Sequence, residues 1–358
     1  MSRNMLREPS LLDFKTWKKI PFVRVMNNFK KLVYGSRRRV PMLIAVYPGI
    51  HLTRHTIKQV VCDAEIQTKV IIALQKRLQT PVVQTGMDLS VEAEAFGAPV
   101  ELPDYEVPTV TSPIIFSVAD AQKLAVPRPG AGRTIVYLRT AELLRKSLPG
   151  TVVLGGCVGP FTLASRLIGL SEACMMAMTE PDTVNIVLEK CTEFLKSYVS
   201  AFRSVGADGV IMAEPAAGLL SPDMMEQFSI KWINRVANFV DSDDDFGIIL
   251  HNCGAKPIHI ETKSKAAVSA FHFGSTMDIH AALDALPSSK PVSGNLDPSA
   301  IFVQGKPEEV FAKTTLLLKE TQKYPNFVPS SGCDIPPQAP LENLDAFIEA
   351  VKVYNSAI

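Results

Sequence analysis

Three residues with metal-binding side chains stand in a pattern that could hold one ion: His251, Cys253 and, about 80 residues later, Cys333. At the end of an extended strand, residues i and i+2 point to the same side, so the histidine and the first cysteine can reach one ion together. A third ligand from a later loop gives two sulfurs and one nitrogen, which suits zinc and leaves a coordination position open. Spacing alone is equally compatible with two buried cysteines and a strand-end histidine. The turn residues Gly254 and Ser331-Gly332 favour the metal.

The softness of this ligand set predicts its chemistry. Two thiolate ligands make a zinc ion electron-rich and only a modest Lewis acid toward water. The same ion can hold a substrate thiol as a nucleophile at neutral pH, because a coordinated thiol loses its proton. The three residues therefore favour alkyl transfer to sulfur over hydrolysis.

The elements that must position these residues alternate along the chain. Short apolar runs have the pattern of strands buried on both faces of a parallel sheet, and amphipathic helical segments separate them. Eight such alternations predict a (β/α)8 TIM barrel. An open doubly wound sheet is the second choice, since no Gly-rich nucleotide-binding pattern follows the first run. The predicted strands are Met42–Tyr47, Val82–Met87, Val152–Cys157, Gly209–Ala213, Gly247–Leu250, Ala267–Phe271, Val292–Asn295 and Phe327–Pro329.

Two segments stand outside this alternation. We expect residues 1–40 to form a basic N-terminal helical extension and residues 41–358 to form the catalytic barrel, with an insertion of a Pro-rich crossing and two helices at about 99–148. The basic run up to Arg39 is opposed only by Glu8 and Asp13. It is either a solvated helical face or a docking surface for an acidic partner or a phosphate-bearing ligand. The candidate docking residues are Lys18, Lys19, Lys30 and Lys31.

Further polar residues follow the predicted strands, at the end of a barrel where chemistry takes place. Asp88 and Glu214 are candidate catalytic carboxylates: each could be a fourth zinc ligand, a proton acceptor or an orienter of the metal-binding histidine, or could simply bond loop backbone. Tyr47, His272 and Asn295 are candidate substrate contacts. His272 is equally compatible with a satisfied core histidine.

The composition argues against several classes of protein. Thirty-seven basic and 36 acidic residues give a net charge of +1. The chain as a whole therefore has no excess of positive charge that would attract a nucleic acid or a membrane surface. No stretch approaches the roughly 20 apolar residues of a membrane span, and the N-terminus lacks the apolar run of a signal peptide. The six cysteines lack the density of a disulfide scaffold. We expect a cytoplasmic protein with reduced thiols.

Several segments together resemble one protein family. The metal pattern is similar to that of the methylcobamide:coenzyme M methyltransferases, a branch of the uroporphyrinogen decarboxylase superfamily, and to the zinc site of cobalamin-independent methionine synthase. The stretch from about residue 23 to the C-terminus shares the superfamily's motifs. These are the lead-in to Pro41, Met-Asp-Leu-Ser-Val-Glu-Ala-Glu-Ala-Phe-Gly at 87–97, Glu-Pro-Ala-Ala-Gly at 214–218 with Leu-Ser-Pro at 220–222, His-Asn-Cys-Gly at 251–254 and Gly-Asn-Leu-Asp-Pro at 294–298.

The resemblance implies a (β/α)8 barrel in which a methyl group passes from a methyl-Co(III) corrinoid, such as methylcobalamin, to a thiol held by Zn²⁺. His251, Cys253 and Cys333 would bind the zinc. A small corrinoid-carrying protein would present the donor at the barrel mouth. The acceptor would be a small thiol such as coenzyme M or homocysteine, and a folate acceptor stays open.

The decarboxylase branch of the superfamily is the alternative function. Its members carry an Arg-rich segment after the first strand that binds substrate carboxylates, whereas residues 47–55 here contain one arginine, Arg54. A tetrapyrrole decarboxylase also needs no metal, which would leave the three ligands unexplained. A corrinoid- or metal-binding protein that has lost turnover is the non-catalytic hypothesis.

Overall fold

A computed structural model describes residues 28–240 and 245–358. Its central feature is a curled sheet of parallel strands in the order β1-β4-β5-β6-β7-β8-β9, with helices packed around it. β2 and β3 form a separate antiparallel pair within the predicted insertion. The expected (β/α)8-type barrel is confirmed. The strands are β1 Val82–Gln84, β2 Val100–Glu101, β3 Thr109–Val110, β4 Val152–Val158, β5 Gly209–Ala213, β6 Gly247–Asn252, β7 Ala270–Phe273, β8 Val292–Leu296 and β9 Phe327–Ser331.

The predicted first strand, Met42–Tyr47, is not a regular strand. The segment runs alongside β9, where the Met42 N–H donates to the Pro329 carbonyl (3.1 Å) and the Ile44 N–H donates to the Ser331 hydroxyl (3.1 Å). On its other side, the Gln84 side chain of β1 donates to the Leu43 carbonyl (3.2 Å). Pro329 has no N–H to complete a backbone ladder, so side chains replace part of the pairing. The segment therefore fills the eighth position of the barrel without ladder geometry.

The interior of the barrel is apolar below its carboxyl end. Ile211, Ile249, Ala270 and Val328 belong to one buried cluster that also contains residues from the irregular first segment. The helix Asn28–Tyr34 closes the opposite end, since its Phe29 and Val33 join this cluster. Asn28 also donates to Asp208 at the start of β5 (2.6 Å). The chain thus seals one end of the barrel and leaves the other end for polar side chains.

The basic N-terminal run is only partly described. Lys18 and Lys19 lie outside the described residues, and Lys30 and Lys31 lie on the helix Asn28–Tyr34. Arg37 and Arg38 are exposed, as a solvated charge run requires. Arg39 is instead buried, and its guanidinium donates to the carbonyls of Thr321, Gln322, Tyr324 and Phe327. This arginine anchors the chain between a helix end and β9 and is not part of a docking surface.

The helices lie in the amphipathic segments between the strands, and one of these segments is divided into two helices. The amphipathic segment before β1 forms two helices, Ile57–Cys62 and Ala64–Leu78. They are divided at Asp63, whose side chain accepts from the N–H groups of Glu65 and Ile66 and starts the second helix. The insertion contains two helices, as expected, and in addition the β2–β3 pair. The α-helices are Asn28–Tyr34, Ile50–Thr53, Ile57–Cys62, Ala64–Leu78, Val91–Ala95, Val118–Lys123, Thr134–Ser147, Pro160–Ile168, Leu170–Thr179, Pro181–Ser204, Pro222–Met225, Lys231–Phe239, Ile260–Ser264, Ile279–Ala285, Pro307–Glu320 and Leu341–Ser356.

The helices within residues 28–240 and 245–358 are short or only partly apolar compared with a membrane span. No single helix there is long and apolar enough to cross a bilayer. The consecutive helices Pro160–Ile168 and Leu170–Thr179 would together be long and apolar enough. The chain bends by 104° between them.

Candidate metal centre

A polar layer lies directly above the apolar interior of the barrel. Side chains alternate along a strand, so a residue two positions after an inward apolar residue also faces inward. This places His251 above Ile249 in β6, His272 above Ala270 in β7 and Ser330 above Val328 in β9. Adjacent β6 and β7 pair with His251 directly opposite His272. The carboxyl end of the barrel is therefore where the sequence changes from apolar to reactive side chains.

The three predicted metal ligands come together in this layer. The ligand atoms of His251, Cys253 and Cys333 all lie within 4.8 Å of one another, and the Cys333 sulfur is 3.6 Å from His251 Nε2. β6 ends at Asn252 and β9 at Ser331, so both cysteines stand in the first turns beyond their strands. Within residues 28–240 and 245–358, no aspartate or glutamate joins this group. Asp88 and Glu214 are thus not placed as a fourth ligand.

Two glycines let the loops approach closely enough to form this group. A Cβ at Gly274, after β7, would lie 2.7 Å from the Cys253 Cα, and a Cβ at Gly332 would lie 2.8 Å from the Ser275 nitrogen. The hydroxyl of Thr276 donates to the carbonyls of Cys253 (3.0 Å) and Ala255 (2.9 Å). The positions of the thiols are therefore set by backbone packing between the β6, β7 and β9 loops.

Each of the two thiols shifts the pKa of the other. Hydrogen bonds from Cys333 and His251 lower the pKa of the Cys253 thiol to about 4, against the opposing effect of burial. The pKa of Cys333 is raised, because it donates to Cys253 and because it is buried. The pair thus carries one negative charge readily and a second only beside a cation. A divalent ion bound by both sulfurs and the His251 Nε2 fits this donor set, and the set is typical of zinc.

His272 lies behind His251, one of the candidate metal ligands. Its Nδ1 is 2.8 Å from the Nδ1 of His251, and its Nε2 is 2.9 Å from the Ser330 hydroxyl. The side chain is fully buried, and burial together with the charge of His251 places its pKa well below the usual value. This position favours support of His251 over the substrate contact that the sequence predicted.

Glu214 is committed to a helix terminus. Its buried carboxylate accepts from the N–H groups of Phe161 (2.9 Å) and Thr162 (2.8 Å), in the first turn of Pro160–Ile168, and from the Ser229 hydroxyl (2.9 Å). Burial raises the pKa of Glu214, and these hydrogen bonds oppose the rise. Glu214 thus bonds backbone, as in the alternative prediction, but the backbone is a helix N-terminus and not a loop.

Asp88 and Tyr47 belong to a second buried cluster, beside β1. The Asp88 carboxylate forms an ion pair with Arg133 and accepts from the hydroxyls of Tyr137 (3.1 Å) and Ser90 (2.6 Å). Tyr47 is buried, its hydroxyl donates to the Met87 carbonyl (3.4 Å), and burial raises its pKa well above the usual value. The ion pair holds Asp88 in place. The sequence did not indicate Arg133 as its partner, because Arg133 lies in the insertion and does not follow a predicted strand.

Asn295 ties together the loops around the thiols. Its side-chain amide donates to the carbonyls of Gly274 (3.1 Å) and Met277 (2.7 Å). Gly274 is the residue packed against Cys253. Asn295 therefore joins the end of β8 to the loop that shapes the metal centre.

Lys263 is a buried cation that the sequence did not reveal. It lies in the short helix Ile260–Ser264 with 1 % of its surface exposed, and its Nζ is 5.9 Å from the centre of the Phe273 ring. Burial lowers its pKa to about 8, although the negative groups Glu214 and Cys253 favour the charged form. A lysine in a helical segment is normally exposed, so the sequence pattern gave no indication that Lys263 is buried.

Comparison with known proteins identifies the family. The sequence model of uroporphyrinogen decarboxylase (URO-D) matches residues 40–354, and the chain belongs to this family. The family membership expected from the motifs is thus confirmed, as is the fold.

The relatives include enzymes of two kinds. The methylcobamide:CoM methyltransferase MtbA of Methanosarcina acetivorans is 26% identical over 299 residues, which are 82% of this chain and 85% of that protein. The uroporphyrinogen decarboxylase of Pseudoalteromonas atlantica is 27% identical over 304 residues, which are 82% of this chain and 84% of that protein.

Solved structures agree on the fold. A methyltransferase from Methanosarcina mazei aligns with a TM-score of 0.82 at 21% identity, over 91% of this chain and 98% of that one. A B12-independent methionine synthase from Shewanella sp. W3-18-1 aligns with a TM-score of 0.56 at 15% identity, over 82% and 89%. At these identities the structural likeness concerns the barrel alone.

Proposed function

We propose that this chain is a zinc-dependent methyltransferase that moves a methyl group from a methyl-Co(III) corrinoid to a thiol acceptor. The observation that carries the proposal is the convergence of His251, Cys253 and Cys333, whose ligand atoms lie within 4.8 Å of one another. These three side chains would hold the zinc ion and leave one position for the acceptor. When bound, zinc lowers the pKa of the acceptor thiol, so that the sulfur is a nucleophile at neutral pH.

The chain's own residues supply position and charge. The ligand atoms of Cys253, Cys333 and His251 lie within 4.8 Å of one another at the carboxyl end of the barrel, where an acceptor and a donor would meet. Holding the two reactants in line removes much of the entropic barrier of a bimolecular reaction. The donor corrinoid would be presented by a small partner protein, and the acceptor is a small thiol such as coenzyme M.

Sequence identity does not choose between the two kinds of relative, since the methyltransferase is 26% identical and the decarboxylase 27% identical. The ligand set supports the methyltransferase, because decarboxylation of a tetrapyrrole gives two thiols and a histidine no role. The arginine content supports it as well. Arg54, the only arginine in residues 47–55, is exposed, whereas four substrate carboxylates would need several cationic partners.

Metal analysis of the purified protein is the first test. We expect about one zinc per chain by inductively coupled plasma mass spectrometry, as three soft ligands predict. Cys333→Ser and Cys253→Ser should lose the ion. Cys62→Ser is the matched control, because Cys62 is an exposed cysteine that is not part of the ligand group, and it should keep the ion. Equal zinc in all three variants would remove the basis of the proposal.

Turnover is the second test. Methylcobalamin is incubated with coenzyme M, homocysteine and other thiols, and the change in cobalt absorbance and the methyl thioether product are followed together. Loss of both signals in Cys333→Ser, with both retained in Cys62→Ser, supports methyl transfer at this site. A zinc-loaded protein that demethylates none of the donors would be a binding protein. A metal-free protein that decarboxylates uroporphyrinogen would establish the alternative.

A further inference from the structure

The side chain that supports the metal-binding histidine is another histidine. The Nδ1 atoms of His251 and His272 lie 2.8 Å apart, and a hydrogen bond of this length contains one proton. One ring therefore donates and the other accepts. On the far side, His272 Nε2 is 2.9 Å from the Ser330 hydroxyl, which can either donate or accept.

Metal binding selects one of the two possible arrangements. His251 Nε2 is the ring nitrogen beside the thiols, 3.6 Å from the Cys333 sulfur. If Nε2 gives its lone pair to a metal, the proton of the neutral ring must be on Nδ1, so His251 donates to His272. The Nδ1 of His272 must then be bare, its proton must be on Nε2, and that N–H must point at Ser330.

We propose that His272 and Ser330 are positioning residues that hold His251 in its metal-binding tautomer and orientation. The inference rests on the proposed function for the presence of the metal, but its geometry is independent of methyl transfer. Outer partners of a metal-binding histidine fix its ring orientation, and the usual partner is a carboxylate, a carbonyl or water. A neutral His272 performs this task without adding negative charge, so two thiolates and one divalent ion stay balanced.

The strand geometry supports a dedicated arrangement. Each of the three side chains lies two residues beyond a member of the apolar cluster (Ile249, Ala270 and Val328), and each is almost fully buried. Ser330 reaches His272 past the intervening strand β8, where Ser293 is the residue paired with His272. The Ser293 hydroxyl is buried without a hydrogen-bond partner. The chain thus offers two buried serines near His272, of which Ser330 bonds the ring.

Zinc affinity is the first measurement. Competition with a chelator of known affinity should show roughly 10–100-fold weaker zinc binding in His272→Phe, the usual effect of losing such a partner. His272→Asn should recover part of the loss, since its amide oxygen can accept from His251. Ser330→Ala should weaken binding by less, and Ser293→Ala is the matched control that should leave it unchanged. Equal losses in the two serine variants would attribute the effect to packing and overturn the proposal.

The tautomers are the second measurement, made on the zinc-loaded wild-type protein so that no variant needs to fold. Nitrogen-15 NMR distinguishes protonated from unprotonated ring nitrogens. The signals of the six histidines are assigned by comparison with the spectra of the histidine variants. We expect His251 protonated on Nδ1 and His272 neutral and protonated on Nε2. A proton on His272 Nδ1 overturns the relay even if methyl transfer occurs. Zinc binding with the expected tautomers but without methyl transfer refutes the proposed function alone, and failure to bind zinc refutes both.

Discussion

Replacing the buried Lys263 by methionine should stabilise the protein. The pKa of Lys263 is lowered from 10.5 to about 8, chiefly by burial, and this value already includes the attraction of Glu214 and Cys253. At about 1.4 kcal/mol per pKa unit, keeping the charge in place costs the folded state about 3 kcal/mol at neutral pH. Methionine has a similar length and no charge. Because a swap of similar volume in a packed interior itself costs up to about 1.5 kcal/mol, we expect a net gain of about 2 kcal/mol in the free energy of unfolding.

The gain should depend on pH in a defined window. Below pH 8 the lysine is protonated in both the folded and the unfolded state, so the folded state carries the full cost. Between pH 8 and 10.5 the folded protein has released this proton and the unfolded chain still holds it, so wild-type stability rises with pH. Above pH 10.5 the cost is absent. The stability difference between Lys263→Met and wild type should therefore shrink as the pH rises.

Urea unfolding of both metal-free proteins at pH 7 and pH 9.5 measures the stability difference and its change with pH. Lys265→Met is the matched control. Lys265 lies at the end of the same helix, is exposed and pairs with Glu226 on the surface, so its removal should change stability little at either pH. A Lys263→Met protein that is less stable than wild type at pH 7 refutes the reasoning. A stability difference that does not change between the two pH values refutes it as well.

Three further outcomes follow from the described contacts. Arg133→Met should destabilise the protein by about 3–5 kcal/mol in urea unfolding, because it leaves the buried Asp88 unpaired, and adding Asp88→Asn should recover more than half of the loss. Arg39→Ala should lower the free energy of unfolding by about 3 kcal/mol in the same assay, because Arg39 donates to four carbonyls. Arg39→Lys should restore less than half of this stability, since a single ammonium cannot bond all four carbonyls. Full recovery would contradict this account. In metal-free protein at pH 6, iodoacetamide should modify Cys253 faster than the exposed Cys62, because the lower pKa, about 4, keeps Cys253 as the thiolate while burial raises the pKa of Cys62. Peptide mass spectrometry measures both rates, and zinc should protect Cys253.

Hydrophobic pattern was sufficient to predict the barrel. Seven of the apolar runs are strands of the parallel sheet, because consecutive apolar residues must be buried on both faces and a closed parallel sheet does this. The first run, Met42–Tyr47, has the same composition but no regular pairing. Its neighbour Pro329 lacks the N–H that a ladder needs, and this is a property of a residue almost 290 positions away. Local pattern carries no information about such a partner.

The candidate site was predictable in part. The placement of polar residues after strands located His251, Cys253, Asp88 and Glu214, but it did not reveal what each side chain contacts. Glu214 is held by the N-terminus of Pro160–Ile168, and Asp88 by an arginine 45 residues further along the chain. The exposure of a carboxylate to substrate depends on such partners, which only the folded chain brings near.

The sequence by itself determined the periodic burial that makes the barrel, the soft ligand types at its carboxyl end and the family to which these belong. Tertiary structure decided which of the strand-end residues form one group and which serve the scaffold. The physical reason is that side-chain alternation is local, whereas distance across a barrel depends on register. Ile249, Ala270 and Val328 come together in one buried cluster. Two residues further along each strand, His272 lies within hydrogen-bond reach of both His251 and Ser330.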